Sequence, residues 1–179
     1  MKKTVFTIAV ICSSLSFAQV AIGKQSITNT SVSLEFADDV KGIILPYVEN
    51  PSAISEPGTL FVDAATGRVK MKLATGLMDF SSEDPLDTNH NGILDLAPQT
   101  GANIVENVNA KTIIGATTSV ADGVLVLESS DKAMILPKLI SPELNIQNPS
   151  AGMMIYDPFR KMLCFYNGKE WSYWEGVAN

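Results

Sequence analysis

Ile135-Leu136-Pro137, inside the stretch Leu125–Trp174, repeats Ile44-Leu45-Pro46, and the likeness extends well beyond the tripeptide. Upstream, Leu34, Phe36, Lys41 and Ile43 correspond to Leu125, Leu127, Lys132 and Met134. Downstream, Pro51 corresponds to Pro142, and three extra residues then enter the later copy. After them Gly58-Thr59-Leu60-Phe61-Val62-Asp63 aligns with Gly152-Met153-Met154-Ile155-Tyr156-Asp157. Further back, Ala21-Ile22-Gly23 resembles Ile113-Ile114-Gly115. Self-similarity at a long period is the mark of repeated supersecondary units that bury apolar faces against their neighbours.

The pattern inside each copy is that of strands. Val32-Ser33-Leu34-Glu35-Phe36 alternates apolar and polar residues with period two, and Gly42–Val48 is a second strand disturbed at Pro46. Asn50-Pro51 opens a segment closed by Pro57, which leaves room for about one helical turn. Thr59–Asp63, Arg68–Leu73 and Leu77–Phe80 form a meander, in which Arg68, Lys70 and Lys72 are expected on a solvated face and Val69, Met71 and Leu73 on a core. The second copy repeats this plan through Thr112–Gly115, Val124–Leu127, Ala133–Leu139, Met153–Asp157, Lys161–Tyr166 and Glu170–Trp174. The expectation is an all-β fold of two related small antiparallel β-meander units, each with at most one helical turn. They would span residues 19–80 and 112–179, joined by a loop-rich linker or insert over 81–111.

Composition narrows the function. The chain has 179 residues, 46% hydrophobic and 18% charged, with a net charge of -6. Its scattered Lys and Arg residues form no basic stripe, which argues against nucleic acid as a partner. Lys2 and Lys3, the apolar run Val5–Phe17 and the small residues around Ala18 read as a signal peptide over residues 1–18, cleaved before Gln19. That run is too short for a spanning helix of about 20 residues, so no transmembrane segment is expected after cleavage. Secretion or display on the outer cell surface follows, with the periplasm as the alternative. Only Cys164 then remains, either a buried small hydrophobe or a thiol for an intermolecular disulfide.

Two stretches carry candidate sites. Asp87, Asn89, Asn91 and Asp95 place oxygen side chains at positions one, three, five and nine, with Gly92 at six. That is the front half of a Ca2+ loop, because calcium takes several hard oxygen ligands on a sharply turned backbone. Pro98 stands where an EF-hand glutamate would, and an Asx-rich turn is the alternative. No other cofactor is indicated. The second candidate comes from comparing the copies: Arg68, Lys70 and Lys72 become Met162, Cys164 and Tyr166. With Asn167-Gly168 as a two-residue hairpin loop, Trp171 would face Cys164 and Tyr173 would face Met162. Such an apolar, aromatic face packs within the chain, joins a homo-oligomer, or stacks on sugar rings. Catalysis has little support. The pairs Asp38-Asp39 and Glu83-Asp84 do not converge on an extended chain, and His90 has no evident nucleophile beside it.

Ala18-Gln19-Val20-Ala21-Ile22-Gly23, a Leu-x-Phe strand and Lys41-Gly42-Ile43-Ile44-Leu45-Pro46 resemble the opening of many secreted Gram-negative bacterial surface proteins. The later Leu-Pro strand, Gly152-Met153-Met154-Ile155-Tyr156, Phe165-Tyr166-Asn167-Gly168 and Trp171 resemble their companion motif, and similar strings occur in phage tail-fibre-like proteins. The arginine that often follows Leu-Pro there is Tyr47 and Lys138 here. The resemblance implies a non-enzymatic, fibre-like or surface-associated module, often oligomeric, that binds a protein or glycan at the cell surface. A calcium-assisted carbohydrate-binding module is the alternative, with a small hydrolase behind it.

Overall fold

The computed structural model describes residues 19–38, 41–82, 84, 86–96 and 110–175. The signal peptide expected over 1–18 lies outside them, as do Asp39 and Glu83 of the two acidic pairs.

The fold is all-β. In chain order the strands are β1 Val20–Ile22, β2 Val32–Phe36, β3 Ile43–Ile44, β4 Tyr47–Val48, β5 Leu60–Asp63, β6 Arg68–Lys72 and β7 Leu77–Asp79. The second copy follows with β8 Thr112–Ile114, β9 Leu125–Leu127, β10 Ala133–Ile135, β11 Met153–Asp157, β12 Met162–Tyr166 and β13 Trp171–Glu175. Each copy carries one short helical turn at its matched proline, a 3-10 turn Pro51–Ala53 and the helix α1 Pro142–Asn145. Pro46 interrupts the Gly42–Val48 segment as expected, leaving β3 and β4 on either side of it.

The sequence repeat is a structural repeat. In both copies an antiparallel meander is built on a short parallel strand: Tyr47 pairs with Val62 in the first, and Lys138 bridges Tyr156 in the second. The Val62 N–H donates to Pro46 O at 2.9 Å, and the Tyr156 N–H donates to Pro137 O at 3.0 Å. A second, parallel pair also recurs. Val20 lies beside Leu34 in β1–β2, and Thr112 beside Leu125 in β8–β9. Parallel pairing was not part of the meander expectation, because hydrophobic alternation carries no strand direction.

The two copies also exchange strands. β10 of the second copy pairs in parallel with β2 of the first, and β3 of the first pairs antiparallel with β11 of the second. The resulting sheets are β1-β2-β10, β13-β12-β11-β3, β4-β5-β6-β7 and β8-β9. The core draws on both copies: Leu45, Val62, Val69 and Phe80 from the first pack with Met154 and Phe165 from the second. The Phe80 and Phe165 ring centroids are 4.7 Å apart, and Trp174 meets Phe80 edge-on at 5.2 Å. Close approach demands glycine where the copies meet. A side chain at Gly152 would strike Val62 Cγ2 at 2.8 Å, and one at Gly42 would strike Met153 Cγ at 2.5 Å.

Inside the β1-β2-β10 sheet, Glu35 is buried yet well partnered. Its carboxylate accepts from Lys24 Nζ and Thr28 Oγ1, both at 2.5 Å, and from the Thr28 backbone N–H at 2.6 Å. These bonds, that from Lys24 foremost, outweigh burial and hold its pKa at about 2, below the ordinary 4.5.

Two outcomes follow from this packing. Because Phe165 is 1% exposed and lies on Phe80 of the other copy, Phe165→Ala should cost about 3–5 kcal/mol, and urea unfolding should keep a single transition. Glu35 is charged in the folded protein at any pH above about 2, whereas unfolding restores a pKa near 4.5. The stability it adds is therefore present above pH 4.5 and lost as pH falls toward 2. Glu35→Gln should flatten that limb of a stability–pH profile and leave the neutral limb sloped as before.

Candidate functional site

Two sites grow out of the difference between the copies. β6 and β12 are equivalent strands, and each presents its variable side chains on the face turned away from the shared core.

On β12, that face bears Met162, Cys164 and Tyr166. The β12–β13 register pairs Tyr166 with Trp171, Cys164 with Tyr173 and Met162 with Glu175. The two-residue loop expected at Asn167-Gly168 is corrected to four residues, Asn167–Glu170. The Asn167 N–H donates to Glu170 O at 3.2 Å, and Asn167 Oδ1 accepts from the Lys169 and Glu170 N–H groups at 2.9 and 2.8 Å. The shift is two residues, so the aromatic side chains stay on the expected face. The first copy has the same loop length, with the Leu73 N–H bonded to Gly76 O at 3.1 Å.

The face divides in two. Tyr166 and Trp171, both half-buried, form a tilted pair with centroids 5.3 Å apart. Tyr173 is 39% exposed and stands 5.5 Å beneath the Arg160 guanidinium. Arg160 in turn donates to Glu143 Oε1 at 2.6 Å, and burial together with Glu143 pushes the Tyr173 hydroxyl up to about 12. Met162 is half-buried, while Cys164 is fully buried. Burial and the nearby Asp157 carboxylate raise its thiol to about 11, so it behaves as a small inert hydrophobe. Asp157 is itself buried. Burial favours its neutral form, but N–H groups of Arg160, Ser141 and Phe159 hold its pKa below the ordinary value. Glu143 of α1 and Arg160 of the β11–β12 turn are neighbours of this face that the sequence did not reveal, since those elements meet it only in three dimensions.

On β6 the insert covers the equivalent face at Arg68. The solvated face expected for it is corrected: Arg68 is 2% exposed, while Lys70 and Lys72 are half-buried. Arg68 Nη1 donates to Asp79 Oδ2 at 3.0 Å and to Asp84 O at 3.1 Å. Its Nε donates to Asn91 Oδ1 at 3.0 Å, and its Nη2 to Asp87 O. The guanidinium thus takes up oxygens of the loop whose spacing suggested a cation. Asp87 Oδ1 caps a short 3-10 turn by accepting from the Asn89 N–H at 2.9 Å, as an Asx turn does. Asp95 lies near Tyr47, whose hydroxyl is raised by burial and by that carboxylate. No group of three or more His, Cys, Asp or Glu side chains able to hold a metal occurs among the described residues.

The same loop reaches the second copy. The Gly92 N–H donates to Thr66 O at 2.9 Å, and the Ile93 N–H to Asn167 O at 3.0 Å. Asn167 Nδ2 donates to His90 O at 3.1 Å, and Lys169 Nζ to Asn89 O at 2.6 Å. His90 sits between carboxylates, with Nδ1 2.7 Å from Glu170 Oε1 and Nε2 3.5 Å from Asp87 Oδ2. Beside it an open groove of about 330 Å³ runs along β13, lined by Trp171, Tyr173, Trp174, His90, Glu170 and Ser81 among others.

Residues 113–179, the second copy, match the family model of the phage tail like trimerisation region. The match supports a phage tail-fibre-like relationship for that part of the chain. No curated protein and no solved structure matches. No helix among the described residues is long and apolar enough to cross a membrane.

Since Arg68 holds the insert in place, Arg68→Met removes the guanidinium donor from Asp79 Oδ2, Asn91 Oδ1 and the Asp87 carbonyl. It should lower stability by about 3–5 kcal/mol in urea titrations. Limited proteolysis should then cut first between residues 82 and 96.

Proposed function

We propose that this chain is an exported, non-enzymatic structural protein of the tail-fibre-like kind, a homo-oligomer that presents the aromatic hairpin of its second copy to a partner at the cell surface. The trimerisation family match over residues 113–179 carries the reading. Two further features favour it. The second copy replaces a charged strand face by Met162, Tyr166, Trp171 and Tyr173, and the Tyr166–Trp171 pair keeps part of its surface in water. Half-exposed Trp and Tyr side chains supply large contact area at small entropic cost, which is why they anchor interfaces.

A second reading has its own observation. The groove along β13 sets Trp171 beside the His90–Glu170 pair, an apolar ring next to polar hydrogen-bonding groups, which suits a sugar. In that reading the partner is a glycan. Calcium assistance from Asp87, Asn89, Asn91 and Asp95 would require Arg68 to yield Asn91 Oδ1 and Asp87 O.

Light scattering on the purified chain should give the mass of three chains, unchanged by calcium or by chelator. Trp171→Ala should leave that mass unaltered and abolish retention on target cells. Loss of retention on a glycan array as well would select the sugar reading, whereas a single-chain mass at every concentration would defeat the oligomeric one.

A further inference from the structure

Strands exchanged between the two copies leave matching edges open at either end of the chain. β3 and β10 are equivalent strands, yet they use opposite edges. The Leu45 N–H, at the end of β3, donates to Gly152 O of β11 at 3.0 Å. In the second copy the Ala133 N–H donates to Ser31 O beside β2 at 2.9 Å. Ala133 corresponds to Gly42 and Leu45 to Leu136, residues whose N–H groups point to opposite sides of the strand. Each of these strands therefore has one paired edge, and among the described residues the other has none: β3 and β10 both end their sheets.

The surfaces that would receive those edges are built and, among the described residues, uncovered. Leu34, in β2 beneath β10, is 1% exposed, while its counterpart Leu125, in β9, is 43% exposed and ends a two-stranded sheet. Leu45 and Val62 are closed over by Gly152 of the second copy and are 7% and 0% exposed. Their counterparts Leu136 and Tyr156 line an open groove of about 220 Å³ with Met134, Ile135 and Lys138. Gly152 is packed against Val62 and Leu45, whereas a Cβ at its counterpart Gly58 would meet nothing within 4 Å. Donor and acceptor sites are thus complementary, and they sit on opposite copies.

We propose that copies of this chain join head to tail, the second copy of one chain holding the first copy of the next by the same strand pairings that hold the two copies together within a chain. The inference deepens the homo-oligomeric reading above and rests on it. Gly58-Thr59-Leu60 of one chain enters the groove of the other, with Thr59 opposite Ile135 and Leu60 opposite Met134, as Met153 and Met154 lie opposite Ile44 and Ile43. The Ile43–Ile44 edge lies in parallel along Leu125–Leu127, as β10 lies along β2. Tyr47 Oη donates to Ala151 O at 2.9 Å within the chain, and Lys138 Nζ, its counterpart, reaches the Pro57 carbonyl in the same way. A head-to-tail contact uses two different surfaces, so it closes into a ring when the rotation permits. In a closed ring of three chains, the open edges of every β3 and β10 are paired.

Paired cysteines test the register. In a chain carrying Cys12→Ser, Thr59→Cys and Ile135→Cys together should form interchain disulfides on mild oxidation. Residues directly opposite on antiparallel strands lie about 4.5–5.5 Å apart, within disulfide reach. Most of the monomer band should be lost to linked dimer and trimer on a non-reducing gel, and neither single variant should link. Cys164 is fully buried and gives no background. The pair Ile44→Cys and Val126→Cys, joined by a short bis-maleimide, probes the parallel edge independently and serves if the first variant loses its native mass under reduction. An oligomer by light scattering with neither pair linked overturns the strand-edge inference and leaves the homo-oligomeric reading standing. A chain that is monomeric at all concentrations overturns both.

Discussion

The absence of a side chain at Gly152 is the constraint on which the architecture turns. A Cβ there would lie 2.8 Å from Val62 Cγ2 and 3.2 Å from Leu45 O, so the second copy can close over the first only through glycine. That contact brings β3 onto β11 and sets Met154 and Phe165 against Val69 and Phe80. A unit of about 60 residues buries only about 60% of its unfolded surface and is marginal on its own. Sharing one core between two such meanders enlarges the apolar surface that each buries.

The outer faces of the two copies differ in composition. On the first copy, Arg68 gathers Asp79, Asp84, Asp87 and Asn91 around one buried guanidinium. A buried cation is tolerated only when its donors are satisfied, and five planar N–H groups suit a loop rich in carbonyls and Asx oxygens. The loop so held also binds the Asn167–Glu170 turn, which makes it a clasp from one copy to the other. Glycine marks the crossing again: a Cβ at Gly67 would meet Gly92 at 2.6 Å. Among the described residues no such loop lies over the second copy, and Lys161 stands in the place of Gly67 with a positive φ of 58°. Its β12 face was left to Met162, Cys164, Tyr166 and their partners on β13.

Much of this was legible in the residues, and the limits have physical causes. Strand positions, helical turns and the break at Pro46 follow from period-two alternation and from proline, both local. The equivalence of the copies followed from order and spacing. Exchange of strands between copies did not, because Ile43-Ile44 and Met134-Ile135 read alike whichever edge they use. The hairpin register went astray at Asn167-Gly168, where a strong two-residue turn signal competed with the spacing of the repeat. In the first copy Lys72 pairs directly with Leu77, as Tyr166 does with Trp171, so both copies share a four-residue loop. Alternation with Val69 and Met71 places Arg68 on the face away from the core. Alternation tells which side of a sheet a residue occupies, and nothing about what later covers that side.

The open edges make the strongest argument for the head-to-tail assembly. Sheet proteins that stay single protect their edges with charge, proline or bulges. β9 reads Leu125-Val126-Leu127 with no charge among the three, and Ile44 stands 54% exposed at the rim of its sheet. By contrast β13, which ends a sheet in the second copy as β7 does in the first, finishes on Glu175 and ties Trp174 Nε1 to Phe80 O. The short apolar edges of β3 and β9 are also the counterparts of edges already paired inside the chain. They have the composition of buried strands because, in the assembly they imply, buried strands are what they become.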